Sequence, residues 1–194
     1  GVTVEKKEAP ISKKFYVSTE ELIAVDLPGA YSMSPFTSEE SITSAYVKNA
    51  NPDVIINVVD ATNLSRSLFF TTQLLELDVP VVVALNKTDI NDKKDTRINV
   101  AELSKKLGCP VIETVSTDEK GLEAVVKAAV DQYGKGQKAP YSQGEVDLSS
   151  KEAVIEADKK RFAFVNKIVA SVEQRKVLTK EKNSLSASFS NGGA

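Results

Sequence analysis

Three short β-branched runs constrain this chain of 194 residues more than any other feature, because each ends in, or runs straight into, an acidic or amide side chain. They are Glu21 to Asp26 (ELIAVD), Val54 to Asp60 (VIINVVD) and Val79 to Leu85 (VPVVVAL), the last followed by Asn86. All three read as strands buried on both faces. Pro110 to Val115 is a weaker fourth strand. The segments between them have helical periodicity and caps. Thr37 and Glu40 have capping-box spacing before Ser41 to Lys48, and Asn63 precedes Leu64, Leu68, Leu74 and Leu75. Asn99 with Glu102 precedes Leu103 to Leu107, and Gly121 opens a stripe of Leu122, Val125, Val126 and Ala129. Strands alternating with helices at this spacing predict parallel crossover units and a doubly wound α/β sheet, whose ligands sit beyond the carboxyl ends of the strands.

Composition removes several kinds of chemistry. Twenty-five Lys and Arg against twenty-seven Asp and Glu leave a net charge of −2, which argues against a nucleic-acid binder relying on excess cations. With no His, a His-based triad, a His metal site and imidazole acid/base catalysis are excluded. The single Cys109 cannot form an internal disulfide, and its neighbours Leu107, Val111 and Ile112 predict a buried structural thiol. No apolar run approaches the roughly 20 residues that cross a bilayer, and no secretory signal follows Gly1. The chain is expected to be part of a longer one.

Gly134 to Gly144 (GKGQKAPYSQG) has the composition of a linker. Beyond it Ser149 and Glu152 form a capping-box pair, and Ile155, Phe162, Val165, Ile168, Val169 and Val172 recur at helical spacing. Residues 147–194 carry nine basic and six acidic side chains, which reads as a solvated helix face. The Ser- and Gly-rich tail from Asn183 is expected to fray. The expected organisation is a sheet domain over 1–133, a linker over 134–148 and the start of a helical domain over 149–194.

Three motifs lie at predicted strand ends. Asp26-Leu27-Pro28-Gly29 follows the first strand: its carboxylate could hold a magnesium ion through water, and Gly29 could bring its amide against a phosphate oxygen. A plain turn fits the same tetrapeptide. Asn86-Lys87-Thr88-Asp89 follows the third strand. Guanine has two neighbouring donors, N1–H and the exocyclic N2–H₂, that one carboxylate such as Asp89 can accept together, whereas adenine leaves that carboxylate poorly paired. Asn86 would tie the loop together while the Lys87 stem covers the purine face; the alternative is a polar helix start. Ser116-Thr117-Asp118, with Gly121 after it, could offer backbone amides to the guanine carbonyl or could simply cap a helix.

With these residues in place, the sequence resembles the cytoplasmic G domain of the FeoB ferrous-iron transport family from Gly1 to about Val130, and more weakly over Glu156 to Val172. The stretches that carry the resemblance are Gly1 to Glu8 (GVTVEKKE), like the family's first switch; Asp26 to Glu40 (DLPGAYSMSPFTSEE), like its second; and Pro52 to Leu75. The resemblance implies a Ras-like P-loop GTPase sheet with flanking helices followed by a helical segment. It implies GTP or GDP as ligand, Mg2+ held by Thr3 and Asp26, and K+ as a further candidate ion. Thr3, Asp26, Gly29, Asn86, Lys87, Asp89 and Ser116 would form the GTP site. The implied partner is a membrane permease domain of the same protein at the cytoplasmic face of the bacterial inner membrane, with nucleic acid excluded and a homo-oligomer left open. Ala157 to Val172 would begin the helical segment that relays nucleotide state to that permease.

The sequence departs from the family's pattern in one large respect. G-x-x-x-x-G-K-[ST], the loop that cradles phosphates, does not occur in the 194 residues. The first strand and the P-loop are therefore expected to be missing, leaving a GTPase fragment that holds GTP weakly or not at all by itself. Ala30 follows D-x-x-G where many G proteins place a water-orienting Gln, so hydrolysis is expected to be slow and no catalytic residue is assigned. Tyr31, Ser32 and Ser34 read as turn residues. The alternatives are a soluble GTPase of the ribosome-assembly type, or a non-catalytic interaction module built on the same shell.

Overall fold

The computed structural model describes residues 7–11, 23–26, 47, 51–88, 96–115 and 119–175. The helix expected over Ser41 to Lys48 lies outside them apart from Val47, which is helical and buried, and the Ser-rich tail lies outside them altogether. In chain order the elements are β1 (Lys7–Pro10), β2 (Ile23–Asp26), β3 (Ile55–Asp60), α1 (Leu64–Leu75), β4 (Val81–Asn86), β5 (Thr96–Ile98), α2 (Val100–Leu107), β6 (Val111–Thr114), α3 (Glu119–Gln132), α4 (Lys151–Val172) and β7 (Glu173–Arg175).

The centre is a parallel sheet in the order β3-β4-β6. β4 is buried over Val81 to Leu85, as expected of a strand covered on both faces. Leu68, Leu75, Leu85, Leu103, Leu107, Val165, Ile168 and Val172 share one core on one side of it. On the other side, Val82 and Ala84 pack with Val125 of α3. Gly121 lets α3 approach β6 closely, because a Cβ there would stand 3.2 Å from both the Glu113 carbonyl oxygen and Thr114 Cα.

β3 corrects the expectation of burial on both faces. Val59 is buried, but Ile56 is 41% exposed and Val58 60% exposed, and no described strand pairs with the outer edge of β3. β1 and β2 form a separate antiparallel pair. The chain is thus the expected α/β fold with flanking helices, with β3 bare on one side among the described residues.

Local caps explain where the helices begin. Asn99 Oδ1 accepts the Glu102 amide at 3.1 Å and starts α2, which ends at Gly108 in the left-handed conformation (φ 73°). For α4 the expected cap is one residue off: Ser150, not Ser149, accepts the Ala153 amide at 3.2 Å. Asn63 precedes α1 without a side-chain cap bond; Asp60 caps the 3-10 turn Ala61–Asn63 before it. Two short strands had no sequence signal: β5 pairs antiparallel with β7, and the Asn99 amide donates to the Val172 carbonyl at 2.8 Å.

Helix α4 is held to α1 by a buried ion cluster. Arg161 donates through Nε and Nη2 to both Glu76 oxygens at 2.8 Å, and through Nη1 to Asp158 Oδ1 at 2.7 Å. Tyr141 donates to Glu76 Oε2 at 2.5 Å, and its hydroxyl lies 3.1 Å from the Thr72 carbonyl. Burial works against the Arg161 charge, but its bonds to Glu76 and Asp158 more than offset this and raise its pKa. Phe69 and Phe162 stack beside the cluster with centroids 4.3 Å apart. The solvated-face expectation therefore fails at Asp158 and Arg161, both buried, while Ile155, expected in the apolar stripe, is 40% exposed. Residues 134–148 contain no helix or strand, yet Gln137 is buried, accepting the Val81 amide at 3.4 Å.

Removing one member of a buried charge cluster strands the others. Arg161→Ala should lower the unfolding free energy by about 3–5 kcal/mol in urea titrations. Lys159→Ala, which breaks only an exposed pair with Glu156, should change it by less than about 1 kcal/mol. Cys109 is buried as expected, and loss of solvent pushes its thiol up to about 12. At pH 8 it should react with iodoacetamide only after denaturation, as mass spectrometry would show.

Candidate functional site

The site is set by register. Parallel pairing places Asp60 beside Asn86, and Asn86 beside Thr114, so the three strands end together on one edge of the sheet. The chain leaves that edge from β4 through Asn86 and Lys87. Asn86 Oδ1 accepts the Lys87 amide at 2.9 Å, which is the loop-tying role expected of it. Lys87 takes φ 65°, a left-handed conformation that costs an L-residue roughly 1–2 kcal/mol. Strain of that kind persists only where neighbours fix it.

Asp60 is the site residue that the motifs did not single out. Its Oδ1 accepts both the Thr62 amide (2.9 Å) and the Thr62 hydroxyl (2.6 Å), and its Oδ2 lies 3.1 Å from Lys87 Nζ. Its own amide donates to Ser67 Oγ of α1 at 3.2 Å. Burial opposes its charge, but the bonds from Thr62 and Lys87 prevail and hold its carboxyl below the usual value. The available signal was its place as the last residue of VIINVVD. One step further down, Thr71 donates to buried Asn57 at 2.6 Å, which accounts for an amide inside the β3–α1 interface.

Of the expected site residues, Asn86 and Lys87 are on this edge. Asp26 is the last residue of β2, opposite Lys7 in register. Thr3, Gly29, Asp89 and Ser116 lie outside the described residues. In sequence Asp89 stands three residues after the end of β4 and Ser116 two after the end of β6. Among the described residues no cluster of three or more His, Cys, Asp or Glu could hold a metal, and no helix is long and apolar enough to cross a membrane.

A family model described as ferrous iron transport protein B matches residues 1–129. The chain belongs to that family. It is 47% identical over 137 residues to the Fe(2+) transporter FeoB of Escherichia coli K12 and 46% identical to that of Salmonella typhimurium LT2. Those alignments take in 69% of this chain and 17% of each relative, so the chain spans about a sixth of their length. Solved structures agree on the fold. The cytosolic domain of the T. maritima FeoB iron transporter in its GMPPNP form superposes with a TM-score of 0.74 at 24% identity, covering 90% of this chain and 87% of that one. A mutant of S. thermophilus NFeoB bound to GDP gives 0.68 at 28% identity, covering 90% and 88%. Membership in the FeoB family sets aside the ribosome-assembly alternative.

Two outcomes follow from the geometry. Because its folded pKa is lowered, Asp60 contributes stability above its unfolded pKa, and this contribution is lost as pH falls through the folded value. Its carboxyl should titrate below 3.8 when followed by NMR. Lys87→Gly should leave unfolding within about 1 kcal/mol of the parent, since relief of left-handed strain and the added freedom of the unfolded chain are of similar size. Lys87→Val, with a branched side chain at that φ, should lose more.

Proposed function

We propose that this chain is the guanine-reading part of a G domain that couples GTP binding and hydrolysis to Fe2+ uptake through a FeoB-type permease. The observation that carries the proposal is the row Asp60, Asn86, Thr114 at the carboxyl edge, which sets the ends of β4 and β6 side by side. Asp89 would then accept N1–H and N2–H₂ of guanine, while Asn86 ties the loop and Lys87 covers the purine face. Ser116 would support the loop facing the guanine carbonyl. The nucleotide-bound relatives, one with GMPPNP and one with GDP, support this ligand class.

The phosphate side would take Thr3, Asp26 and the Gly29 amide. One hydroxyl and one carboxylate are hard oxygen donors, and Asp26 ends β2 at a strand terminus where a D-x-x-G turn would leave it. That donor set fits Mg2+, a hard cation that prefers oxygen ligands and keeps water among them. Bound there, Mg2+ would offset charge on the phosphates. The outer edge of β3, with which no described strand pairs, is where the strand leading into a phosphate loop would pair. Fixed by Arg161 to the end of α1, α4 would carry nucleotide state toward a permease at the cytoplasmic membrane face.

The test is calorimetric titration of the full-length protein with GTP, GDP and ATP. Guanine nucleotides should bind, ATP should bind at least about a hundredfold more weakly, and Asp89→Ala should abolish most of that difference. Equal affinity for ATP and GTP would overturn the proposal.

A further inference from the structure

Asp60 belongs to none of the three strand-end motifs, yet the fold fixes it before any ligand arrives. Register sets its backbone beside Asn86, Thr62 occupies one carboxylate oxygen twice, and Ser67 of α1 accepts its amide. The remaining oxygen faces Lys87 Nζ at 3.1 Å. Lys87 is in turn anchored at its other end, where Asn86 accepts its amide and φ is 65°. A lysine side chain normally keeps most of its rotamer freedom; this one is tied at both the main chain and the ammonium.

We propose that Asp60 is a positioning residue of the purine pocket: by holding the Lys87 ammonium, it lays the lysine's methylene stem in place as an apolar cover for one face of the base. The inference rests on the nucleotide-binding function proposed above. The pair is too exposed, at 49% for Lys87 and 26% for Asp60, to matter much for stability. Its effect is preorganisation, because a side chain ordered in the free protein is not ordered at the expense of binding. The cover touches the flat face that all purines share. Asp60 should therefore strengthen binding without reading the base edge, a division of labour with Asp89.

The variants that isolate this role keep everything else. Asp60→Asn retains a carbonyl oxygen for Thr62 and loses only the charge facing Lys87, while Lys87→Met retains the stem and loses the ammonium. In the full-length protein, affinities for GDP, IDP and ADP would be measured by competition against a fluorescent guanine nucleotide. Each single variant should weaken GDP binding about three- to tenfold, and the double variant should be no weaker than Lys87→Met. The GDP-to-IDP ratio should equal that of the parent in all of them. Parental affinity in Asp60→Asn, losses that multiply in the double variant, or a changed GDP-to-IDP ratio would each overturn the positioning role. A parent that fails to prefer GDP over ADP would instead remove the proposed function and this inference with it, so the two failures are distinguishable.

Discussion

The polar edge proposed to meet the base depends on the parallel pairing of β3, β4 and β6. A one-residue slip in such a sheet sends every side chain to the opposite face. β4 is buried from Val81 to Leu85 with one core beneath it and another above, and a slip would draw the half-buried Asn86 into that apolar stretch. Its neighbours are held in step, and Asp60, Asn86 and Thr114 finish level. The polar edge is therefore a by-product of an apolar constraint: the core sets the register, and the register sets which polar groups meet.

That edge is also where the chain departs from relaxed geometry. Lys87 at positive φ is the kind of residue that a folding chain avoids unless it is compensated. The compensation is visible in the Asn86 amide oxygen and the Asp60 carboxylate, both carried by adjacent strand ends. Strain at the edge and rigidity in the core are two consequences of the same register.

The strands and their order of chemistry were legible because β-branched runs ending in Asp or Asn have few other uses. What escaped had weaker physical signals. β5 and β7 are short and polar, so their pairing is decided by where the end of α4 lands beside Asn99. Val58 looks like a core residue in sequence, and only the bare side of β3 explains its exposure. Arg161 and Asp158 sit within a run of charges, ADKKR, in which the solvated members and the buried members have the same composition. Only the arrival of Glu76, eighty-five residues earlier in the chain, tells them apart. Local pattern reports periodicity; it cannot report a partner that far away.

Helix α1 connects these two kinds of feature. In its first turn Ser67 accepts the amide of Asp60, and past its middle Thr71 donates to Asn57, so the helix is fastened from its start to the strand whose terminus faces Lys87. Just past its end, Glu76 is gripped by Arg161 and Tyr141, so that end is fastened to α4 and to the segment before it. At 1.5 Å per residue the helix is about 18 Å long. A helix bonded at both ends to rigid partners cannot shift at one end alone. It must move as a body, or one of the two buried attachments must open. The attachment to β3 consists of neutral hydrogen bonds and one amide, whereas the attachment to α4 includes a bidentate, desolvated ion pair that is costly to break. Of the two junctions, the one at the strand end is the weaker, and any adjustment along α1 is therefore taken up beside Asp60 before α4 is released.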